Sequence, residues 1–289
     1  MTTTEAELFD IYTGILFNSR SFAAGERTAI TYAFDCPEYR ALVEKYGIDR
    51  IAGEGADFGR AGRDFRKAER LLHWMSPRLR HLPDYDNHVP MNSLALLEYS
   101  LDRPENGINC RSKAVILTEC CLALGITARR VYIMPCSPYD MDNHVVTEIF
   151  DRGLSKWIML DPSTDGVFRD EKGVSLSLLE LRERFAAHKP AAFSGSEPEE
   201  DMNAYFAKNL YRFMVDGDNG FGLGDRRVLH FMPAGCSFKE NQLASIKFKQ
   251  GQIPPDAMRV QKIFSEMLEK AKKEPEPAPW DISVMEMKP

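Results

Sequence analysis

Cys110, His144 and Asp161 follow one another through the middle of the chain, each at the edge of a regular segment. A thiol, an imidazole and a carboxylate can serve as nucleophile, base and orienter if the fold gathers them. Cys110 lies in "NGINCRSKAVILTECCLALGITARRVYIMP" (106–135), just after Gly107 and Asn109 and just before a long apolar-periodic run. A buried cysteine is usually a small hydrophobe. This one opens a periodic run from a loop, where a core residue would not be placed.

The elements that must position these groups can be read from the surrounding residues. Ala114, Leu117, Cys121 and Leu124 share one helical face, and Gly125 supplies a stop, so a helix is expected over about 110–124. Cys110 then sits in its first turn. A helix N-terminus carries partial positive charge and free N–H groups, which favour a thiolate and can hold an oxyanion. "ARRVYIM" (128–134), "HVVTEIF" (144–150) and "KWIML" (156–160) read as strands. A four-residue loop, Asp151 to Leu154, would pair Phe150 with Ser155 and set His144 opposite Asp161. Opposed residues in an antiparallel pair have Cβ atoms about 4.5–5.5 Å apart on one face. Another loop length would slip this register. Glu148 shares the His144 face of a regular strand, as a substrate contact or a structural ion pair. Trp157 is expected in the core or on a cleft wall.

The order of Cys110, His144 and Asp161, and the words around them, resemble the transglutaminase-like superfamily. The matching stretches are "GINC", "LALGITARRVY", "NHVVTEIF" and "WIMLDPS". The resemblance covers about 105–165 and weakens beyond, although "SLLELRER" looks like a further element of bacterial members. Two positions depart from the common pattern. Asn109 precedes the cysteine, and Val145 follows the histidine where an aromatic is usual. The resemblance implies an α+β, papain/transglutaminase-like fold, with the cysteine helix packed on an antiparallel sheet. A single domain over 1–289 is expected. It would comprise a mixed N-terminal part (1–90), a catalytic core (91–170) and a C-terminal helical extension with short strands (171–289).

The resemblance further implies thiolate attack on an amide or acyl carbon, with His144 moving protons and Asp161 orienting the imidazole. The Cys110 N–H would be one oxyanion donor, with Asn92 or Asn109 as candidates for the second. Passing the acyl group to water makes a peptidase or amidase; passing it to an amine makes an acyltransferase. A third reading is a non-catalytic binding module that keeps the fold. The expected partner is a peptide, a protein or a small amide or acyl substrate, and no cofactor is expected.

Composition narrows the field. The chain has 289 residues, 44% of them apolar, enough for a substantial core. Its net charge of −6 argues against nucleic acid and against an anionic membrane surface. No apolar run reaches the roughly 18–20 residues of a membrane span. "MTTTEAELFD" lacks the basic start of a secretory signal, so a cytoplasmic location is expected. The six cysteines form neither a disulfide framework nor a metal-site spacing, and Cys36, Cys120, Cys121, Cys136 and Cys236 are read as structural. No HExxH or CxxC pair is present, so no zinc site is expected, and no calcium ligand set is visible. "DGDNGFGLGD" (216–225) fails as an EF-hand, with Phe221 at the sixth position and Arg227 at the twelfth. Neither its glycines nor those of 52–62 have the strand–turn–helix frame of a dinucleotide site.

Elsewhere, strands are expected at 27–34, 226–233 and 244–249. Helices are expected at 37–47, at 64–82 with a break at Pro77, at 92–101 capped by Asn92 or Ser93, and at 175–188, 200–215 and 255–273. Residues 190–200 read as a polar loop, and the Pro-rich tail after 273 as extended.

Overall fold

The computed structural model describes residues 4–53, 59, 62–224 and 227–289. Most of the glycine-bearing stretch 52–62 lies outside the described residues, as do Asp225 and Arg226, the first residue of the expected strand 226–233. The described elements begin with α1 (Glu5–Asn18), β1 (Thr31–Tyr32), α2 (Pro37–Tyr46), α3 (Ile48–Ile51), α4 (Arg63–Met75) and α5 (Ser93–Asp102). Next come α6 (Cys110–Ala123), β2 (Ala128–Met134), β3 (His144–Asp151), β4 (Lys156–Leu160), β5 (Val167–Arg169) and α7 (Leu178–Ala186). The last are β6 (Ala192–Ser194), α8 (Glu199–Asn209), β7 (Arg212–Asp216), β8 (Asp218–Asn219), β9 (Val228–Phe231), α9 (Phe238–Gln252), α10 (Met258–Lys273) and a 3-10 turn at Ile282–Met285.

A five-stranded antiparallel sheet, ordered β4-β3-β2-β7-β9, forms the centre. The alternation of side chains along a strand divides its two faces. Along β3, Thr147 turns to α6, where its hydroxyl donates to the Ala114 carbonyl at 3.3 Å. Ile149 joins the core made with α2, α4, α5 and α6. Val146 faces the other way, into a second core with Leu16 of α1, Phe185 of α7 and Phe206 of α8. The protein is thus mixed α/β, with helices on both faces of an antiparallel sheet. No helix among the described residues is long and apolar enough to cross a membrane.

Helix α6 is buried at every position from Ser112 to Leu122, which places it centrally. Its end is set by Gly125 at φ 69°, with the Gly125 N–H on the Leu122 carbonyl and the Ile126 N–H on that of Cys121. The chain then turns directly into β2. Helix α4 stops at Met75, two residues before Pro77, and Asn92 caps α5 by accepting from the Ala95 N–H at 2.9 Å.

Several expectations are corrected. The β3–β4 loop has four residues, but they are Arg152–Ser155: Asp151 pairs with Lys156 and Phe150 with Trp157, not with Ser155. Asp151 stays in the strand because its carboxylate accepts N–H groups from Leu154 in the turn and from Gly62 and Phe65 at the start of α4. Ser155 closes the turn at φ 57°. The pairing moves by two positions, so His144 is not directly opposite Asp161. An even shift preserves the face, and the two become diagonal neighbours.

The expected helix 200–215 ends at Asn209, and its remainder becomes β7, which pairs with both β2 and β9. Residues 244–249 lie inside α9, where a strand was expected. The strand at 27–34 shrinks to Thr31–Tyr32, and the 190–200 loop contains β6, paired with β5. The tail is not simply extended, because Val284 and Met285 are buried in its 3-10 turn.

Candidate active site

Cys110 is the first residue of α6. Asn109 caps the helix, its side-chain oxygen accepting from the Ser112 N–H at 3.0 Å and from the Ser112 hydroxyl at 3.1 Å. The thiol is half-buried and packs beside Ala114, Tyr132, Val145 and Met214.

His144 opens β3, so its ring lies at the end of the sheet, where it can meet the N-terminus of α6. Its Nε2 lies 3.0 Å from Asp161 Oδ2, an ion-pair distance without the alignment of a regular hydrogen bond. Asp161 is fully buried. Its Oδ1 accepts the Ser163 N–H and its Oδ2 the Thr164 hydroxyl, both at 2.9 Å. These bonds fix the carboxylate from the turn that follows β4. Tyr205 and Phe206 of α8 set ring edges against the imidazole, with centroids at 5.6 and 5.9 Å. With Nε2 beside Asp161, Nδ1 is the nitrogen left to serve Cys110.

The electrostatics agree with that placement. Burial alone would push the Cys110 thiol up, but contact with His144, the imidazolium charge and the Val145 N–H outweigh it, and the thiol is held below its ordinary value. Burial disfavours charge on His144, yet Asp161 and Cys110 push it up to about 10. Asp161 is lowered despite its burial, through His144, Ser163 and Thr164. Each group thus favours the charged form of the other, thiolate beside imidazolium.

The other expected site residues lie elsewhere or are occupied. Asn92 is a helix cap and lines neither lobe of the cleft around His144. Asn109 does line it, but its amide donates to Asn87 Oδ1 at 3.0 Å and to the Tyr85 carbonyl at 3.4 Å, so neither hydrogen is left for an oxyanion. Glu148 is a buried structural ion. It accepts from Arg129 Nη2 at 2.6 Å and Nε at 3.0 Å, and from the Leu178 N–H at the start of α7. Trp157 is core, not cleft wall: its ring lies 3.8 Å from the Arg129 guanidinium and its N–H donates to the Met287 carbonyl. Burial raises the Cys120 and Cys121 thiols, and so leaves them inert.

The cleft has two lobes. One, of about 700 Å³, is lined by Cys110, Asn109, Arg111, Tyr132 and the 141–145 segment. The other, of about 580 Å³, reaches Asp161, Ser163, Thr164 and the carboxylates of Glu5, Glu197 and Asp201. Their shared wall is His81, His144 and Tyr205. Tyr205 donates to Asp142 at 3.1 Å and Lys208 pairs with Asp142 at 2.7 Å, which ties the 135–143 loop to α8. Lys113, one turn along α6 from Cys110, is 1% exposed and is pushed down to about 8 by burial, against Asp161, Asp165 and Cys110.

His81, Lys113 and Tyr205 are the residues that sequence reasoning missed. His81 was absorbed into the expected 64–82 helix, although Pro77 marks the break before it. Lys113 does follow Cys110 by three residues, the spacing of a shared helical face. Nothing in the sequence places Tyr205 at His144.

Among the described residues no group of three or more His, Cys, Asp or Glu is placed to hold a metal ion. No family model matches the chain, and no curated protein matches it. Among solved structures, the crystal structure of a candidate cysteine protease from Cytophaga hutchinsonii is similar over 57% of this chain, at 17% identity and a TM-score of 0.33. The match spans 49% of that protein's length.

Proposed function

We propose that the chain is a cysteine-nucleophile enzyme with a papain-like, transglutaminase-like core. It opens an amide or acyl bond through an acyl-enzyme and hands the acyl group to water. What carries this reading is His144, which stands 3.0 Å from a fully buried Asp161 and lines the same cleft as Cys110 at its helix N-terminus. The Cys110 thiolate attacks the carbonyl carbon, and the carbonyl electron pair moves onto oxygen near the N-terminus of α6. Collapse of this intermediate expels the amine, which leaves with the His144 proton. His144, now neutral, takes a proton from water as that water attacks the thioester, and the thiolate is released. Asp161 holds the ring in place and stabilises its charged form.

Transfer to an amine is the second reading. It is favoured by the carboxylates of Glu5, Glu197 and Asp201 on the lobe beside Asp161, which attract a cation. Intact-mass analysis after incubation with a library of esters and peptides tests both. An acyl adduct mapped to Cys110, absent from Cys110→Ala protein, is expected. Added primary amine would divert the product from acid to amide if the second reading holds. Adducts at Cys136 in place of Cys110 would refute both.

A further inference from the structure

We propose that His81 is a catalytic residue, whose ring N–H joins the Cys110 backbone N–H in holding the oxyanion formed on thiolate attack. This rests on the reading of Cys110 as the nucleophile. An oxyanion needs two or more preorganised donors converging on one point. Both asparagines expected for the task are excluded: the Asn109 amide is already donated, and Asn92 lies off the cleft.

His81 stands where the two lobes join, a place shared with His144 and Tyr205 alone among the described residues. The other two are engaged, His144 with Asp161 and Tyr205 with Asp142. The His81 ring makes no hydrogen bond or ion pair to the described residues, and it is exposed to whatever enters the cleft. Its backbone, by contrast, is pinned. The Ile108 N–H donates to the Arg80 carbonyl and the Leu82 N–H to the Ile108 carbonyl, both at 3.0 Å. His81 is therefore bridged to Ile108, two residues before the nucleophile. A donor whose backbone is fastened to the segment that leads into Cys110 keeps its place relative to the thiol.

The ring is also held in the state the task requires. Partial enclosure, the Lys113 ammonium and the His144 charge all hold His81 below its ordinary value. Asp161 opposes them weakly, and the net result is a neutral ring at pH 7. A neutral imidazole retains one N–H to donate and, unlike a cation, does not compete with the imidazolium for the thiolate.

Two reagents separate this role from its rivals. p-Nitrophenyl acetate acylates the thiolate: a bond forms from Sγ to the carbonyl carbon, the π pair moves to oxygen, and collapse expels p-nitrophenolate with its bonding pair. Iodoacetamide alkylates the same sulfur by direct displacement of iodide, and no oxyanion forms. His81→Ala is expected to slow acylation of Cys110 by about 10²-fold. Alkylation should stay within about twofold of wild type. His81→Gln, which restores an N–H donor, should recover about tenfold of the acylation rate. Melting curves check that each variant folds.

Equal losses in both reactions would mean that His81 acts on the thiolate, and would overturn the proposal. So would unchanged acylation in His81→Ala, or a His81→Gln protein as slow as His81→Ala. A wild-type protein whose Cys110 reacts with neither reagent would sink the nucleophile reading itself, and His81 with it. Normal alkylation with no wild-type acylation would sink the oxyanion site alone.

Discussion

At the scale of single residues, Cys110 and His144 shift one another in opposite directions. The thiol is held below its ordinary value by His144, and the imidazole rises to about 10. The pairing favours thiolate beside imidazolium, and alkylation of Cys110 by iodoacetamide should set in at lower pH than that of a free thiol. His144→Ala should move the inflection up toward that of a free thiol. A wild-type inflection no lower than that of His144→Ala, or faster labelling of exposed Cys136, would count against the pair. The sign for stability follows from the same shifts. The raised His144 contributes fully below about 6.5, its unfolded value, and the contribution is lost as pH climbs through about 10. The lowered Asp161 contributes above the usual carboxylate range and loses that contribution as pH falls below it. Asp161→Asn removes the charge and leaves an amide able to select the wrong tautomer. In a serine protease that change costs about 10⁴ in kcat. A thiol needs less help from its base, so a loss of about 10²–10³ is expected here once a turnover assay exists. The three groups were legible because each stands in a recognisable word. His81 was not, because its place depends on a bridge to Ile108 that leaves no periodic trace.

At the scale of elements, the β3–β4 hairpin shows where pattern reading stops. Strand alternation gave the face of His144, and the structure keeps it. The register depended on which residues make the turn, and that is settled by Asp151 reaching Gly62 and Phe65, about ninety residues away in sequence. Asp151→Ala is expected to cost about 2–4 kcal/mol, since buried N–H groups lose a charged acceptor. Denaturant titration measures this, and a loss under about 1 kcal/mol would show that the turn holds itself. Glu148 carries a matching lesson. On its strand it shares the His144 face, yet Arg129 and the first turn of α7 consume both of its oxygens. Glu148→Gln should lower stability by about 3 kcal/mol, while the variant that still folds alkylates at Cys110 as wild type does. The strand β7 went unread because "YRFMVD" directly follows α8 and its apolar positions also continue a helical period. Within α9, "ASIKFK" has the alternation of a strand, but Ser237 caps a helix that runs through it.

At the scale of the whole molecule, two segments beyond the central sheet and its candidate site differ in how they are attached. Helices α9 and α10 pack chiefly on each other. Their ends lie side by side, because Glu276 accepts from the Ser237 hydroxyl at 2.9 Å and from the Phe238 and Lys239 N–H groups at 2.7 and 3.0 Å. Phe248 reaches Tyr139 on the cleft loop by one ring-edge contact. Residues 279–287 behave otherwise. Met285 supplies a carbonyl to Arg129 Nη2 at 2.7 Å, and Met287 supplies one to Trp157. Val284 and Met285 are 1% exposed, and Arg129 is itself buried beside Glu148. Deleting 274–289 would remove two buried apolar side chains, at about 1.5–3 kcal/mol each, and an acceptor from a buried guanidinium, at about 1–3 kcal/mol. The total, roughly 4–9 kcal/mol, is comparable to the whole stability of an ordinary domain. That truncation should therefore fail to give a cooperative melt. Excising 240–273 and joining the adjacent ends with a short glycine linker removes a larger piece but leaves the sheet and both cores intact. The excised protein should still melt cooperatively and keep Cys110 reactive to iodoacetamide. If the excised protein unfolds while the truncated one survives, the hairpin and not the tail would be the part that the fold requires.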